Sequence, residues 1–256
     1  MYKQLKTKKS RDKLGLFFVE GEAFVSEIPP DYKIVSYIMS QTFAEGRDIS
    51  LYESRASCEI IRDSLFGNLA DTVTPQGIIA VCEKISYGLN DILQDCSIAS
   101  VRAAGQNLGF ILMGENINDP GNLGTLVRTA AAAGASGAFF TQGSCDIYNS
   151  KAIRASAGAI LRLPIAVADT SEIFAALKKA DMPIFAAHPR GNVLPYELDF
   201  RQKFCLLVGS EARGISPFSQ EQADFIVRLP MTNATESLNA SVAGSILLYE
   251  AVRQRI

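Results

Sequence analysis

From Gly109 onward the chain alternates short, nearly continuous apolar runs with helical patterns, and this rhythm restricts the fold more than any other feature. The runs are Phe110 to Met113, Ala138 to Thr141, Pro164 to Val167, Pro183 to Ala187, Phe204 to Val208 and Phe225 to Leu229. A strand with one wet face alternates apolar and polar residues; these do not, so both of their faces are expected to be covered. Helical patterns stand between most of them, at Leu123 to Ala133, Lys151 to Ile160 and Ser171 to Ala180, and a long helix from Ala240 to Arg255 closes the chain. Such alternation specifies an α/β fold with a mostly parallel sheet flanked by helices, whose ligands bind at the carboxyl ends of the strands.

A smaller α/β unit is expected before it. Apolar β-rich runs alternate there with helical patterns: Leu16 to Val19 then Gly21 to Ile28, Lys33 to Ile38, Ile49 to Tyr52 then Ser57 to Leu65, and Gly77 to Cys82. Lys84 to Asn107 mixes Gly, Asn, Asp, Gln and Ser with weak periodicity and reads as a connection with room for one helix or short strand. The expected division is a domain over 1–90, a linker over 91–107 and a domain over 108–256, which suits a chain of 256 residues.

Several function classes drop out. The five cysteines, Cys58, Cys82, Cys96, Cys145 and Cys205, are scattered without a C-x-x-C pair, and His188 is the one histidine, so no metal is expected. Cys82 and Cys205 lie in strand-like runs as small hydrophobes. A hydrolase would need His188 as its base and a nucleophile elbow, which is absent. Neither a Rossmann glycine fingerprint nor a P-loop occurs. No apolar run approaches the roughly 20 residues that span a bilayer, and Met1 to Lys6 lacks the apolar core of a signal peptide. No membrane is expected, and the expected compartment is the cytoplasm. The net charge is −2, yet Lys3, Lys6, Lys8, Lys9, Arg11 and Lys13 crowd the first thirteen residues against Asp12 alone. That patch is either a solvated helix face or a phosphate-binding surface.

Three polar loops each follow a strand directly and can converge at one end of the sheet. The first, Gly114 to Gly124, leads into a helix that Asp119-Pro120 would cap and Gly134 would stop. Leu123, Leu126, Val127, Ala130 and Ala131 form its apolar stripe; Arg128 lies with Thr125, Thr129 and Ala132 on the other side, either as a surface residue or as a phosphate or oxyanion partner. The second, Gly209-Ser210-Glu211-Ala212-Arg213-Gly214, brackets a carboxylate and an arginine between glycines. The third, Leu229 to Asn239, gathers Thr, Asn, Glu and Ser ahead of the last helix, where free backbone N–H groups are also available.

Asn122-Leu123-Gly124-Thr125-Leu126-Val127-Arg128-Thr129-Ala130, Gly209 to Gly214, and Leu229-Pro230-Met231 through Glu236-Ser237-Leu238-Asn239 resemble, in order and spacing, the three motifs of the SpoU (TrmH) family of RNA ribose 2′-O-methyltransferases of the SPOUT class. The segment Asp146 to Gly158 is similar to the family's stretch between the first two motifs. Leu5 to Arg11 and Phe17 to Gly21 resemble the substrate-binding domain that many of these enzymes carry, similar in fold to a small ribosomal RNA-binding protein.

The resemblance implies a C-terminal trefoil knot, an exception to the rule against threaded chains, with S-adenosylmethionine as cofactor and a homodimer with active sites at its interface. It implies that Gly209, Leu229, Met231 and Leu238 hold the cofactor and that Arg128, Asn122, Glu211, Ser237 and Asn239 form the catalytic set. Lys8, Lys9, Arg11 and Arg154 are the expected RNA contacts, with rRNA favoured over tRNA as partner. Asn233-Ala234-Thr235 replaces a glycine-containing approach to Glu236, and Ala240 stands where valine is common. The alternative is a non-catalytic dimeric RNA-binding or ribosome-assembly protein that keeps the same framework.

Overall fold

The computed structural model describes residues 2–102, 109–232 and 237–256. Six strands form the larger sheet: β5 (Phe110–Glu115), β6 (Gly137–Thr141), β7 (Ile165–Ala168), β8 (Ile184–Ala187), β9 (Phe204–Gly209) and β10 (Phe225–Val227). Every pairing in it is parallel, in the order β10-β8-β9-β5-β6-β7. The expected strands are therefore all present, within a residue or two at their ends.

Alternate side chains of each strand serve opposite layers. Phe110 and Leu112 face one core with Leu126, Val127 and Leu247, whereas Ile111 and Met113 face the other with Ile173 and Leu177. Among the described helices, α1 (Lys8–Leu14), α2 (Glu22–Val25), α3 (Gln41–Ala44), α4 (Ser50–Glu53) and α5 (Asp63–Leu69) belong to the smaller unit. They are followed by α6 (Leu89–Arg102), α7 (Pro120–Ala132), α8 (Ser150–Ala155), α9 (Thr170–Lys179), α10 (Pro217–Gln222) and α11 (Ala240–Arg255). α7 starts as its sequence requires: Pro120 is in the first turn and the Asp119 carboxylate accepts from Asn122 N at 2.9 Å.

β1 (Leu16–Glu20), β2 (Ile34–Ser40), β3 (Ser57–Ile61) and β4 (Ile78–Glu83) form a second sheet in the order β1-β4-β2-β3. Two expectations here need correction. Ile49 to Tyr52 is not a strand but leads into the helical turn α4, because the Asp48 side chain accepts from Ser50 N at 3.0 Å and starts it. Ser57 to Ile61 is not helical; it pairs in parallel with β2 as an edge strand with little burial, so its apolar pattern is weak, and the helix expected there starts only at Asp63. The Lys84 to Asn107 connection carries α6; residues 103–107 of the expected linker lie outside the described residues.

The two sheets meet over a shared core. Phe17 of β1 lies 4.4 Å from Tyr148, centroid to centroid, and the Tyr148 hydroxyl donates to Ile85 O at 2.8 Å. No described helix is long and apolar enough to cross a membrane. Cys82 and Cys205 are fully buried, and burial pushes the Cys82 thiol up to about 12, which suits packing rather than nucleophilic work.

Candidate active site

The carboxyl ends of β8, β9 and β10 surround a cleft of about 770 Å³. Gly209, Leu229, Met231 and Leu238, the expected cofactor residues, all line it, together with Glu211, Ser237 and His188. Gly209 begins a tight loop in which Ser210 and Gly214 exchange backbone hydrogen bonds of 3.1 and 2.9 Å. A Cβ at Gly209 would stand 2.2 Å from the Gly214 carbonyl carbon, so only glycine allows the loop to fold back this closely.

Beside the cleft, residues distant in sequence form one hydrogen-bonded group. Asn122 Nδ2 donates to Glu211 Oε1 at 2.5 Å, while Asn122 Oδ1 accepts from Asn239 Nδ2 at 3.1 Å and from Ser241 Oγ at 3.0 Å. Both ends of the Asn122 amide are thus occupied, which fixes its orientation and aims one Glu211 oxygen. Asn239 also caps α11, its Oδ1 accepting from Ser241 N at 2.9 Å and Val242 N at 3.2 Å. All three polar loops contribute to this end of the sheet. Residues 233–236, including the Asn233-Ala234-Thr235 departure and Glu236, lie outside the described residues.

Arg128 is not part of the group. It is exposed on α7 and lines a separate groove with Phe24, Glu27 and Arg162. On the neighbouring side of the helix, Thr129 Oγ1 meets Ser245 Oγ of α11 at 3.0 Å. The chain by itself therefore assembles the cleft and the Asn122 group without the expected cation.

The RNA-contact expectations divide. Lys8 and Lys9 are exposed on α1. Arg11 is a correction: only 6% exposed, it gives Nε and Nη2 to Asp146 Oδ2 at 2.8 and 2.6 Å, and Nη1 to the Leu5 and Lys6 carbonyls. Its charge is fully engaged in tying the first helix to the loop before α8, a role that a count of basic residues cannot reveal. Arg154 is half-buried, with Nη1 enclosed and without a hydrogen-bond partner.

Sequence reasoning missed Ser241 and Glu115. Ser241 follows the cap residue by two positions, a pattern that signals a helix start and hides a second role. Glu115 is 2% exposed and accepts from Ser216 N at 3.0 Å and Ser219 Oγ at 2.9 Å, holding the second loop against β5. The Ser216-Pro217-x-Ser219 capping pattern of α10, itself unforeseen, was the available signal. His188 accepts at Nδ1 from Arg190 N at 3.1 Å, and burial, with Arg190 nearby, holds its pKa below the ordinary value. Cys145 is pushed up to about 11 by burial and by the carboxylates of Asp119, Asp146 and Glu211. It is a thiol and not a nucleophile at neutral pH. Among the described residues there is no cluster of three or more His, Cys, Asp or Glu able to hold a metal ion.

The parallel α/β sheet, with a cofactor-sized cleft at its carboxyl edge, a fixed amide–carboxylate pair beside it and a second small sheet joined to it, is shared with S-adenosylmethionine-dependent RNA 2′-O-methyltransferases, and the comparisons with known proteins place the chain in that class. The chain is a member of the SpoU rRNA methylase family, whose model matches residues 109–249, while residues 1–80 match the MRM3-like substrate binding domain. It is 30% identical over 97% of its length to 23S rRNA (guanosine(2553)-2′-O)-methyltransferase RlmP of Bacillus subtilis strain 168, covering 93% of that protein. It is 32% identical to 23S rRNA (guanosine-2′-O-)-methyltransferase RlmB of Xylella fastidiosa strain 9a5c, over 95% of this chain and 98% of that one. The AdoMet-bound rRNA methyltransferase of Sinorhizobium meliloti superposes with a TM-score of 0.85 at 25% identity, over 100% of this chain and 94% of that one. AdoMet-bound AviRb of Streptomyces viridochromogenes does so with a TM-score of 0.84 at 26% identity, over 99% and 96%.

The cleft suits that cofactor. Its volume lies in the range of small-molecule sites, roughly 300–1,000 Å³, and apolar Leu229, Met231, Leu238 and Leu247 share the lining with the Glu211 carboxylate and the cations Arg190 and Arg213. S-adenosylmethionine offers matching parts: an aromatic base, a sulfonium, an ammonium and a carboxylate.

Proposed function

We propose that this protein methylates a ribose 2′-hydroxyl of 23S rRNA, at a guanosine, and that it works as a homodimer. The observation that carries the reading is the meeting of Asn122, Glu211 and Asn239 beside a cleft lined by Gly209 and Leu238. The guanosine target rests on the two relatives that this chain matches over nearly their whole lengths.

Gly209, Leu229, Met231 and Leu238 would hold the cofactor, which when bound supplies a methyl group already activated on a sulfonium. What remains for the chain is to align a poor nucleophile and to lower the cost of negative charge developing on its oxygen. Alignment alone can supply roughly 7–11 kcal/mol of a barrier. Glu211, aimed by Asn122, positions the substrate together with Ser237 and Asn239. Arg128 stabilises the incipient alkoxide or clamps the substrate phosphate that takes the hydroxyl proton, since a guanidinium with a pKa above about 12 is a poor base. The exposed lysines Lys8 and Lys9, with Arg154, supply phosphate contacts.

Two features support the dimer. Arg128 opens into a different groove from the cleft of its own chain, so a complete site needs a second copy. Leu238, just before α11, and Val242, Ile246 and Tyr249 on it, spaced four, four and three apart, are 37–53% exposed and form an apolar stripe. A knotted C-terminal half belongs to the same proposal: from the edge strand β10 the chain returns to mid-sheet, where α11 lies on β9 and α7.

The test is transfer of labelled methyl from S-adenosylmethionine to 23S rRNA lacking ribose methylation, with the modified nucleotide mapped by resistance to alkaline cleavage. One protected guanosine is expected. Cofactor and RNA binding without transfer would favour the non-catalytic RNA-binding alternative instead.

A further inference from the structure

The groove that holds Arg128 spans both parts of the molecule. It has a volume of about 580 Å³, with Phe24 and Glu27 on the side of the small sheet and Arg128, Ala132, Ser156 and Arg162 on the other. Its two cations are not equally available. Arg162 Nη1 donates to Glu27 Oε2 at 2.5 Å and to the Glu27 carbonyl at 3.3 Å, and Nη2 donates to Ala157 O at 3.4 Å. Arg128 has no ion-pair partner of this kind among the described residues.

The contact is built into the backbone. Gly158, with φ +78°, lies under Glu27, and a Cβ there would stand 2.9 Å from the Glu27 Cβ. Glu27 is brought this close only because the facing residue has no side chain and accepts a left-handed conformation. Yet the Arg162 and Glu27 side chains are 47% and 49% exposed, and a pair in that much water adds little to stability. Its clear consequence is electrostatic: a carboxylate from the substrate-binding part covers the second arginine of a groove that leads to Arg128.

We propose that this groove is the path by which a single-stranded stretch of the RNA substrate reaches Arg128, and that Glu27 is a phosphate surrogate displaced from Arg162 when RNA enters. The inference rests on the methyltransferase reading, which makes Arg128 the destination. A guanidinium freed from a carboxylate offers the same paired donors to a phosphate, and half-buried Phe24 offers an aromatic surface on which a splayed-out base can stack. The pocket is of small-ligand size, so it admits unpaired nucleotides and not a duplex. Glu27 then acts as a gate: non-specific polyanions meet a neutralised arginine, and only a strand already positioned at Arg128 displaces the carboxylate.

The experiment measures the affinity of the full-length protein for a short fluorescein-labelled single-stranded RNA by anisotropy across a salt series, with thermal melts to verify folding. Glu27→Gln should tighten binding about threefold with little change in the salt slope, since Arg162 meets a phosphate in both complexes and only the competing carboxylate is removed. Arg162→Ala should weaken it relative to Glu27→Gln by a similar factor, and the double variant should match Arg162→Ala, because the gain requires the arginine. Phe24→Ala should weaken binding about tenfold. The proposal is overturned if Glu27→Gln leaves affinity unchanged, or weakens binding as a merely structural latch would, or still tightens binding when Arg162 is gone. Methylation of 23S rRNA by the unmodified protein is scored in parallel: its failure would sink the enzyme reading, while the binding comparison decides the groove separately.

Discussion

Asn122 donates its side-chain amide to Glu211 at 2.5 Å across 89 positions of the chain, and its carbonyl is held in turn by Asn239 and Ser241. Because the amide has a donor end and an acceptor end, Asn122→Asp replaces the donor by a carboxylate facing Glu211, and the two like charges must separate. Methyl transfer should fall on the order of 10²-fold, the scale of a small misplacement in a reacting constellation. Cofactor affinity, read by calorimetry, should change little, since Asn122 does not line the cleft. An Asn122→Asp protein with unaltered turnover would remove the group from the mechanism.

Gly209 and Gly244 both lack room for a methyl group, but for different reasons. At Gly244 the added carbon would approach Leu126 Cδ2 to 2.5 Å and Val208 Cγ2 to 3.0 Å, both ends of apolar side chains that can give way. Gly244→Ala should therefore cost about 1–3 kcal/mol in unfolding while sparing the cofactor. At Gly209 the obstacle is the Gly214 backbone at 2.2 Å, so the loop itself must move. Gly209→Ala should weaken S-adenosylmethionine binding more than about tenfold, beyond any change in melting temperature. Equal cofactor affinities for the two variants would contradict this.

Arg11 and Asp146 join the first helix to the larger sheet through a pair only 7% and 9% exposed. Removing one partner leaves the other charge buried, at a cost of about 3–5 kcal/mol. Arg11→Ala should lower the urea midpoint accordingly, with the salt dependence of RNA binding unchanged. Lys8→Ala, at an exposed position, should do the reverse and reduce that slope by roughly 0.7–0.9.

What could be read from the sequence follows from how each signal arises. The strands of the larger sheet were legible because burial on both faces demands consecutive apolar residues, as in Phe110 to Met113 and Phe204 to Val208. β3 was not, because an edge strand with exposed Glu59 and Ile60 carries neither alternation nor continuity, and α4 is a single turn set by Asp48. Gly209, Asn122, Glu211 and Asn239 were legible as motif residues, but that Ser241 would join them depends on a helix start meeting a helix from elsewhere in the chain. Arg11 was misjudged because sequence shows a charge and not its partner 135 residues away.

His188 titrates in a range where the chain has no other histidine. Its native pKa is lowered by burial and by Arg190, so between the unfolded value near 6.5 and the lower native value the unfolded chain binds the proton more readily. This contribution to stability is complete above about pH 6.5 and is lost as the pH falls through that value. The wild type should lose more urea stability between about pH 7.5 and 5.5 than His188→Asn does. The contributions of the lowered carboxylates Asp119 and Asp199 stay complete across this window and are lost only as the pH falls into the carboxylate range. Parallel pH profiles for the two proteins would show that His188 is not the group responsible.

The most demanding test concerns the division of the site between two copies. Arg128 and Gly209 line different cavities of one chain, so Arg128→Ala and a cleft variant away from the exposed stripe, such as Met231→Asp, should each be inactive alone, for different reasons. In a mixed population, half of the dimers are heterodimers, and in each the defects fall together in one site and leave the other with an intact arginine and an intact cleft. Mixing equal amounts under conditions that allow exchange should then restore about a quarter of wild-type sites. If each site were complete within its own chain, neither protomer of the heterodimer would have one and the mixture would stay inactive. Tyr249→Glu, placed on the exposed stripe of α11, should block both dimerisation and this rescue, as read by light scattering and by methyl transfer on the same samples.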